Sequence, residues 1–195
     1  MKITLLLTLS ISFFIFLLLS PVLLQLVSYL HPILFGVVLC CLAMLALFFI
    51  LLIRGETIKV SYPKLSFLIL IYSFGLFILL FFRPGQSYQS LNLIPFSTIV
   101  FYLSGKVNGL IAFYNLAANI FLFIPFGIYF RFKERSRIQL FYIPFLFITM
   151  IEIIQYISHR GSMDIDDFIL NVLGISIGYL LYPFLNRVVK VSYNK

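Results

Sequence analysis

The stretch from Glu152 to Asn171, EIIQYISHRGSMDIDDFILN, holds residue types able to do three kinds of chemistry. Glu152 with Asp164 or Asp167 offers a carboxyl pair of the sort used as general acid and base. Asp164, Asp166 and Asp167 together offer oxygen ligands for a divalent cation. Arg160 offers donors for a phosphate. The stretch contains four of the chain's six acidic residues. Neither a nucleophile motif nor a His-rich ligand set accompanies them, and His31 and His159 read as interface residues. No cofactor and no metal site is therefore assigned from the sequence.

The surroundings make this cluster stand out. The chain has 195 residues, 63% hydrophobic and 10% charged, with a mean hydropathy of +1.13. A soluble domain carries roughly 25% charged residues. The composition predicts an all-α, polytopic transmembrane helix bundle in the cell membrane. The net charge of +8 is dispersed in short segments between apolar runs, which argues for topology signals rather than nucleic-acid binding. Cys40 and Cys41 are adjacent and read as packing residues. The N-terminal apolar run extends past the 7–15 residues of a signal-peptide core, so it reads as a retained span.

About six spans are expected, near residues 3–29, 33–53, 65–82, 110–130, 138–158 and 167–189, each close to the roughly 20 residues needed to cross a bilayer. The first is long enough to tilt or bend at Pro21, and His31-Pro32 separates it from the second. Arg54, Lys59 and Lys64 fall between spans two and three, and Arg131, Lys133, Arg135 and Arg137 between four and five. Lys2, Arg187, Lys190 and Lys195 share that side, while Arg83, Lys106 and Arg160 lie opposite. The excess of Lys and Arg places both termini inside and the acidic cluster outside. The connection from Arg83 to Gly109 opens with the turn signal Pro84-Gly85. It is then too apolar for a solvated loop and is expected to lie at the membrane surface or re-enter it.

Polar residues on the spans converge on the same end. Asn115 and Asn119 share one helix face, as do Glu152, Gln155 and His159. The plain alternative for the asparagines is hydrogen bonding between helices. For Glu152 it is a structural pair, for instance with Arg160. A carboxylate at the bilayer centre costs about 2.5–3.5 kcal/mol on insertion scales, so Glu152 must face the bundle. One aspartate is expected to cap the last span. Asp167 and Asn171 share a face with Gly174 and Gly178, and those glycines let another helix come close. Because the connection 158–166 is short, spans five and six are antiparallel neighbours. Glu152, Gln155, Arg160, Asp167 and Asn171 are then expected to share an outward-opening polar pocket.

Three blocks carry a family resemblance: NLIPF (Asn92 to Phe96), NIFLFIPFG (Asn119 to Gly127), and EIIQY (Glu152 to Tyr156) followed by R-x-x-x-D-x-D-D-x-x-x-N (Arg160 to Asn171) and Gly174. In this order the chain resembles the VanZ-like membrane proteins, named after an accessory factor of glycopeptide (teicoplanin) resistance. The resemblance spans residues 92–182 most strongly. It implies a variable N-terminal region of three spans, 1–82, and a core, 83–190, within one membrane domain. It also implies a role at the bacterial envelope and adds Asn92, Pro95, Phe96 and Asn119 to the candidate binding residues Glu152, Gln155, Arg160, Asp164, Asp166, Asp167 and Asn171.

Three functions stay open at this stage. A non-catalytic factor would bind membrane lipids, a lipid-linked cell-wall precursor or the glycopeptide antibiotic. A membrane enzyme would use Glu152, Asp164 or Asp167 on a lipid-linked substrate. A small transporter would use Glu152 as a relay.

Overall fold

The computed structural model describes residues 2–27, 33–81, 91–133, 136–159 and 163–193. Arg83, Pro84, Gly85, Arg135, Arg160, Lys195 and the His31-Pro32 turn lie outside the described residues. The elements are α1 (Lys2–Val27), α2 (Ile33–Arg54), β1 (Ile58–Ser61), α3 (Tyr62–Phe81), β2 (Leu91–Asn92), α4 (Ser97–Leu103), α5 (Gly109–Phe121), α6 (Ile124–Phe132), α7 (Arg137–Ile157), β3 (Met163–Asp164), α8 (Ile165–Val188) and β4 (Val189–Ser192).

The protein is an all-α polytopic bundle. Among the described residues, five stretches are long and apolar enough to cross a membrane: Lys2–Leu24, Tyr62–Phe81, Gly109–Phe132, Ile138–Ile157 and Ile165–Val188. The sixth expected span, α2, holds the shorter apolar run Val38–Arg54. Among the described residues, four short strands, absent from the sequence expectation, pair as β1 with β4 and β2 with β3. Helix α1 continues through Pro21. Cys40 and Cys41 are free thiols on the exposed side of α2, not packing residues. A helix apolar all round gives no sign of which face turns inward.

The chain divides into two compact units. Unit one, Met1–Lys59 with Phe184–Lys190, contains the α1–α2 pair. On α1, Thr4, Thr8 and Ser12 recur every four residues on one face and are buried. The Thr8 hydroxyl bonds back to the Thr4 carbonyl, and Ser12 to that of Leu9, so these buried hydroxyls are satisfied within the helix.

Unit two, Val60–Pro183 with Val191–Lys195, holds the candidate site. Its core gathers Leu76 of α3, Phe123 and Phe126 around the start of α6, Ile148 of α7 and Ile175 of α8. The expected fourth span is broken. Leu122 and Phe123 form a turn between α5 and α6, and Pro125 sits in the first turn of α6. Proline brings no N–H and its ring clashes with the carbonyl four residues earlier, so a helix interrupts there. The Tyr72 hydroxyl donates to the Leu122 carbonyl at 2.8 Å, satisfying the interruption from α3.

Three glycines let α8 lie directly on this break. A Cβ on Gly174 would sit 2.2 Å from the Ile120 carbonyl oxygen. A Cβ on Gly178 would sit 2.3 Å from that of Ile124, and one on Gly127 would sit 2.1 Å from that of Ile175. Backbone meets backbone here, the close approach expected of small residues at membrane helix contacts.

Candidate functional site

The aspartates begin where α8 begins. Asp164 takes the cap position, its Oδ1 accepting from the Asp166 N–H at 2.9 Å. It offers an oxygen to a first-turn amide that has no partner within the helix.

Asp166 is 0% exposed and reaches across to the NLIPF segment. Its Oδ1 accepts from the Phe96 N–H. Its Oδ2 accepts from the N–H groups of Thr98 at 2.7 Å and Ile99 at 3.1 Å. These amides form the N-terminal end of α4, whose own cap residue, Phe96, is left-handed (φ 65°) and makes no side-chain cap bond. Asp166 is thus a cap supplied from 70 residues away in sequence. The positive N-terminal ends of α4 and α8 both face it, a favourable setting for a carboxylate.

Asn92 and Asp164 complete the clamp. Strand β2 runs parallel to β3, pairing Leu91 with Met163 and Asn92 with Asp164. Asp164 Oδ2 accepts from the Thr98 hydroxyl at 2.7 Å and from Asn92 Nδ2 at 3.3 Å. Asn92 Nδ2 also donates to the hydroxyls of Ser97 and Thr98, and its Oδ1 accepts from the Ile94 N–H. The segment is thereby held with Pro95 and Phe96 exposed at its turn. Ile94, Phe96, Val100, Phe101 and Leu103 are all exposed.

A second polar group lies deeper. Asn119 Nδ2 donates to Asp167 Oδ1, linking α5 to α8 just above the glycine contact. Glu152 on α7 is 4% exposed, as is Asn171 on α8. The Asp164 backbone N–H and the carboxylates of Asp167 and Asp164 lie near the Glu152 carboxylate. Glu152 Oε2 and Asn171 Oδ1 are buried without a hydrogen-bond partner. Unsatisfied buried oxygens of this kind call for a partner such as water, a ligand or a proton donor.

The remaining candidates sit apart or are otherwise engaged. Gln155 turns toward α3, its Nε2 donating to the Leu80 carbonyl at 3.4 Å. Asn115 bonds back to the Ile111 carbonyl. His159 is exposed, with a left-handed backbone (φ 55°) after the end of α7. Arg160 lies outside the described residues. Among the described residues no group of three or more His, Cys, Asp or Glu side chains could hold a metal ion, and Asp164 and Asp166 are directed at chain donors. Sequence reasoning missed Ser97 and Thr98. The signal available was a pair of hydroxyl residues immediately after a turn, which is a common capping pattern.

The family model described as VanZ/LLP1 matches residues 67–186. Protein VanZ of Enterococcus faecium is 34% identical over 101 residues, covering 51% of this chain and 56% of that protein. The chain thus spans about half the length of this curated relative. No solved structure matches.

Proposed function

The chain belongs to the VanZ/LLP1 family, and from that premise we propose that it acts at the outer face of the bacterial cell membrane. There it lowers sensitivity to teicoplanin-type glycopeptide antibiotics by binding an amphiphile, either a lipid-linked envelope component or the antibiotic itself. The observation that carries this reading is the pairing of exposed apolar residues at Ile94, Phe96 and Phe101 with a polar group in which Glu152 and Asn171 are buried and Asn119 and Asp167 half-buried. An amphiphile needs both surfaces. The acidic cluster would repel an anionic ligand if its carboxylates faced outward. Asp164 and Asp166 instead accept hydrogen bonds from the chain, which removes that objection for two of the four acids.

The unpartnered Oε2 of Glu152 favours one competing reading, in which Glu152 and Asp167 move a proton for an enzyme or carrier. A single experiment separates the two. Glu152→Gln and Asp167→Asn are expressed at wild-type level in a teicoplanin-sensitive strain. In parallel, the purified proteins in nanodiscs are titrated with teicoplanin and with a lipid-linked disaccharide-peptide. The binding reading expects both variants to retain protection and at least one ligand to bind. Loss of protection in both variants, with ligand binding intact, would transfer the function to proton chemistry. Failure of wild-type protein to bind either ligand would remove the binding reading.

A further inference from the structure

An open apolar groove of about 610 Å³ lies between α4 and α5, within the roughly 300–1,000 Å³ usual for small-ligand sites. Ala112 is its buried floor, at 5% exposure, while Leu103, Phe113 and Phe121 stand out as walls. None of the polar candidates lines it. The groove follows α5 from Gly109 to Phe121. Thirteen residues at ~1.5 Å each give about 20 Å. One leaflet of hydrocarbon is about 15 Å deep, so the groove is at least as long as one leaflet is deep, and it ends at the helix break.

A charge lies next to the lining in the chain. Gly105 and Val107 both line the groove, and the residue between them is Lys106, which is exposed. Gly105 has a left-handed backbone (φ 74°), which forms the tight turn presenting this lysine beside the start of α5. A cation at the interface above a leaflet-deep apolar channel matches a molecule with an anionic head and a hydrocarbon chain.

We propose that this groove seats the hydrocarbon chain of an anionic, phosphate-headed membrane lipid, with Lys106 at its headgroup. The inference rests on the amphiphile reading for the class of ligand and gives that class a place on the molecule. Lipid occupancy is read without any drug, so its failure and the failure of antibiotic protection are separate results.

The test uses the full chain in phosphatidylcholine vesicles containing a small fraction of phosphatidylglycerol with a photoactivatable acyl chain. Vesicles with the same label on phosphatidylcholine serve as comparison, and labelled peptides are mapped by mass spectrometry. Residues 109–121 are expected to take the phosphatidylglycerol label about fivefold more than the phosphatidylcholine label, the selectivity of one lysine at an anionic headgroup. The exposed apolar face of α3, with Phe67, Leu70 and Phe74, is expected to show no such preference. Lys106→Gln should equalise the two lipids on α5. Ala117→Trp should remove α5 labelling while leaving α3 labelling unchanged, which also reports an intact fold. Equal labelling of α3 and α5 by both lipids, or indifference to Lys106→Gln, would overturn the proposal. So would protection of α5 by a second copy of the chain, or displacement of the label only by the acyl tail of a lipoglycopeptide.

Discussion

Asp166 and Glu152 are 0% and 4% exposed, and both stand beside other carboxylates, yet their surroundings differ. Asp166 accepts three backbone N–H bonds and sits between two helix N-termini. Glu152 has the Asp164 amide near its carboxylate, but Oε2 is without a partner. Arg54 and Glu56 form an ion pair, whereas neither Asp166 nor Glu152 forms one among the described residues. A fully hydrogen-bonded buried carboxylate fixes structure, and a partly satisfied one leaves capacity for something else. The acids therefore divide into a clamp, Asp164 and Asp166, and a second group in which Glu152 keeps an unpartnered oxygen and Asp167 is bonded to Asn119.

The clamp is where the largest effect is expected. Asp166→Ala would leave the amides of Phe96, Thr98 and Ile99 without their acceptor. An orphaned buried donor costs about 1–3 kcal/mol, so a loss of about 3 kcal/mol or more in stability is expected. Asp166→Asn keeps one oxygen and should fall between. Thermal unfolding in detergent measures both, and protease cleavage within 91–103 should rise in the same order. If Asp166→Ala unfolds like the wild type, the clamp is not structural and the contrast with Glu152 collapses.

The glycine contact comes next, because it sets how closely α5 brings Asn119 to α8. Gly178→Ala places a methyl 2.3 Å from the Ile124 carbonyl oxygen, with the Gly127 Cα 2.9 Å away. Both neighbours are backbone and cannot swing aside. Overpacking of this kind costs about 1–3 kcal/mol. An unchanged melting temperature would show that α5, α6 and α8 can separate at little cost. A smaller effect is expected of Asn119→Ala, which removes the bond to Asp167. Hydrogen bonds between membrane helices average about 0.6 kcal/mol. A stability loss well beyond ~2 kcal/mol would mean that Asp167 belongs with the clamp rather than with Glu152.

Much of this was legible in the sequence, and the exceptions have physical causes. The apolar runs at 65–82, 138–158 and 167–189 predicted α3, α7 and α8 to within a few residues, because a span's length is imposed by the bilayer. The expected cap on the last span is Asp164. The close approach at Gly174 and Gly178 is present, since only small residues allow it. Pro125 marks the break at Leu122-Phe123, although the apolar run near 110–130 reads as one span. The clamp was not legible. It joins Asp166 to backbone amides of Phe96, Thr98 and Ile99, and a backbone amide has no letter in the sequence. The pairing of β2 with β3 escaped for the same reason, since two-residue strands have no periodicity to detect.

Glu56 is a third kind of carboxylate, and it gives the smallest expected effect. It lies in unit one, with its side chain 30% exposed. Arg54 Nε approaches its Oε1 at 2.6 Å, and the Thr4 hydroxyl donates to its Oε2 at 2.8 Å. The Arg54 and Thr4 hydrogen bonds hold its carboxyl below the ordinary value of 4.5. A depressed carboxyl stabilises the fold fully above its unfolded value, and that contribution is lost as pH falls through the lower folded value. Exposed pairs contribute little and are screened by salt. Wild type and Glu56→Gln should therefore differ slightly in melting temperature at pH 7, converge as pH drops below 4.5, and differ less in high salt. A gap that persists unchanged at low pH would show that the Thr4 contact, not the charge, is what Glu56 contributes. Glu56 would then stand with Asp166, as an acid whose value lies in the donors it accepts.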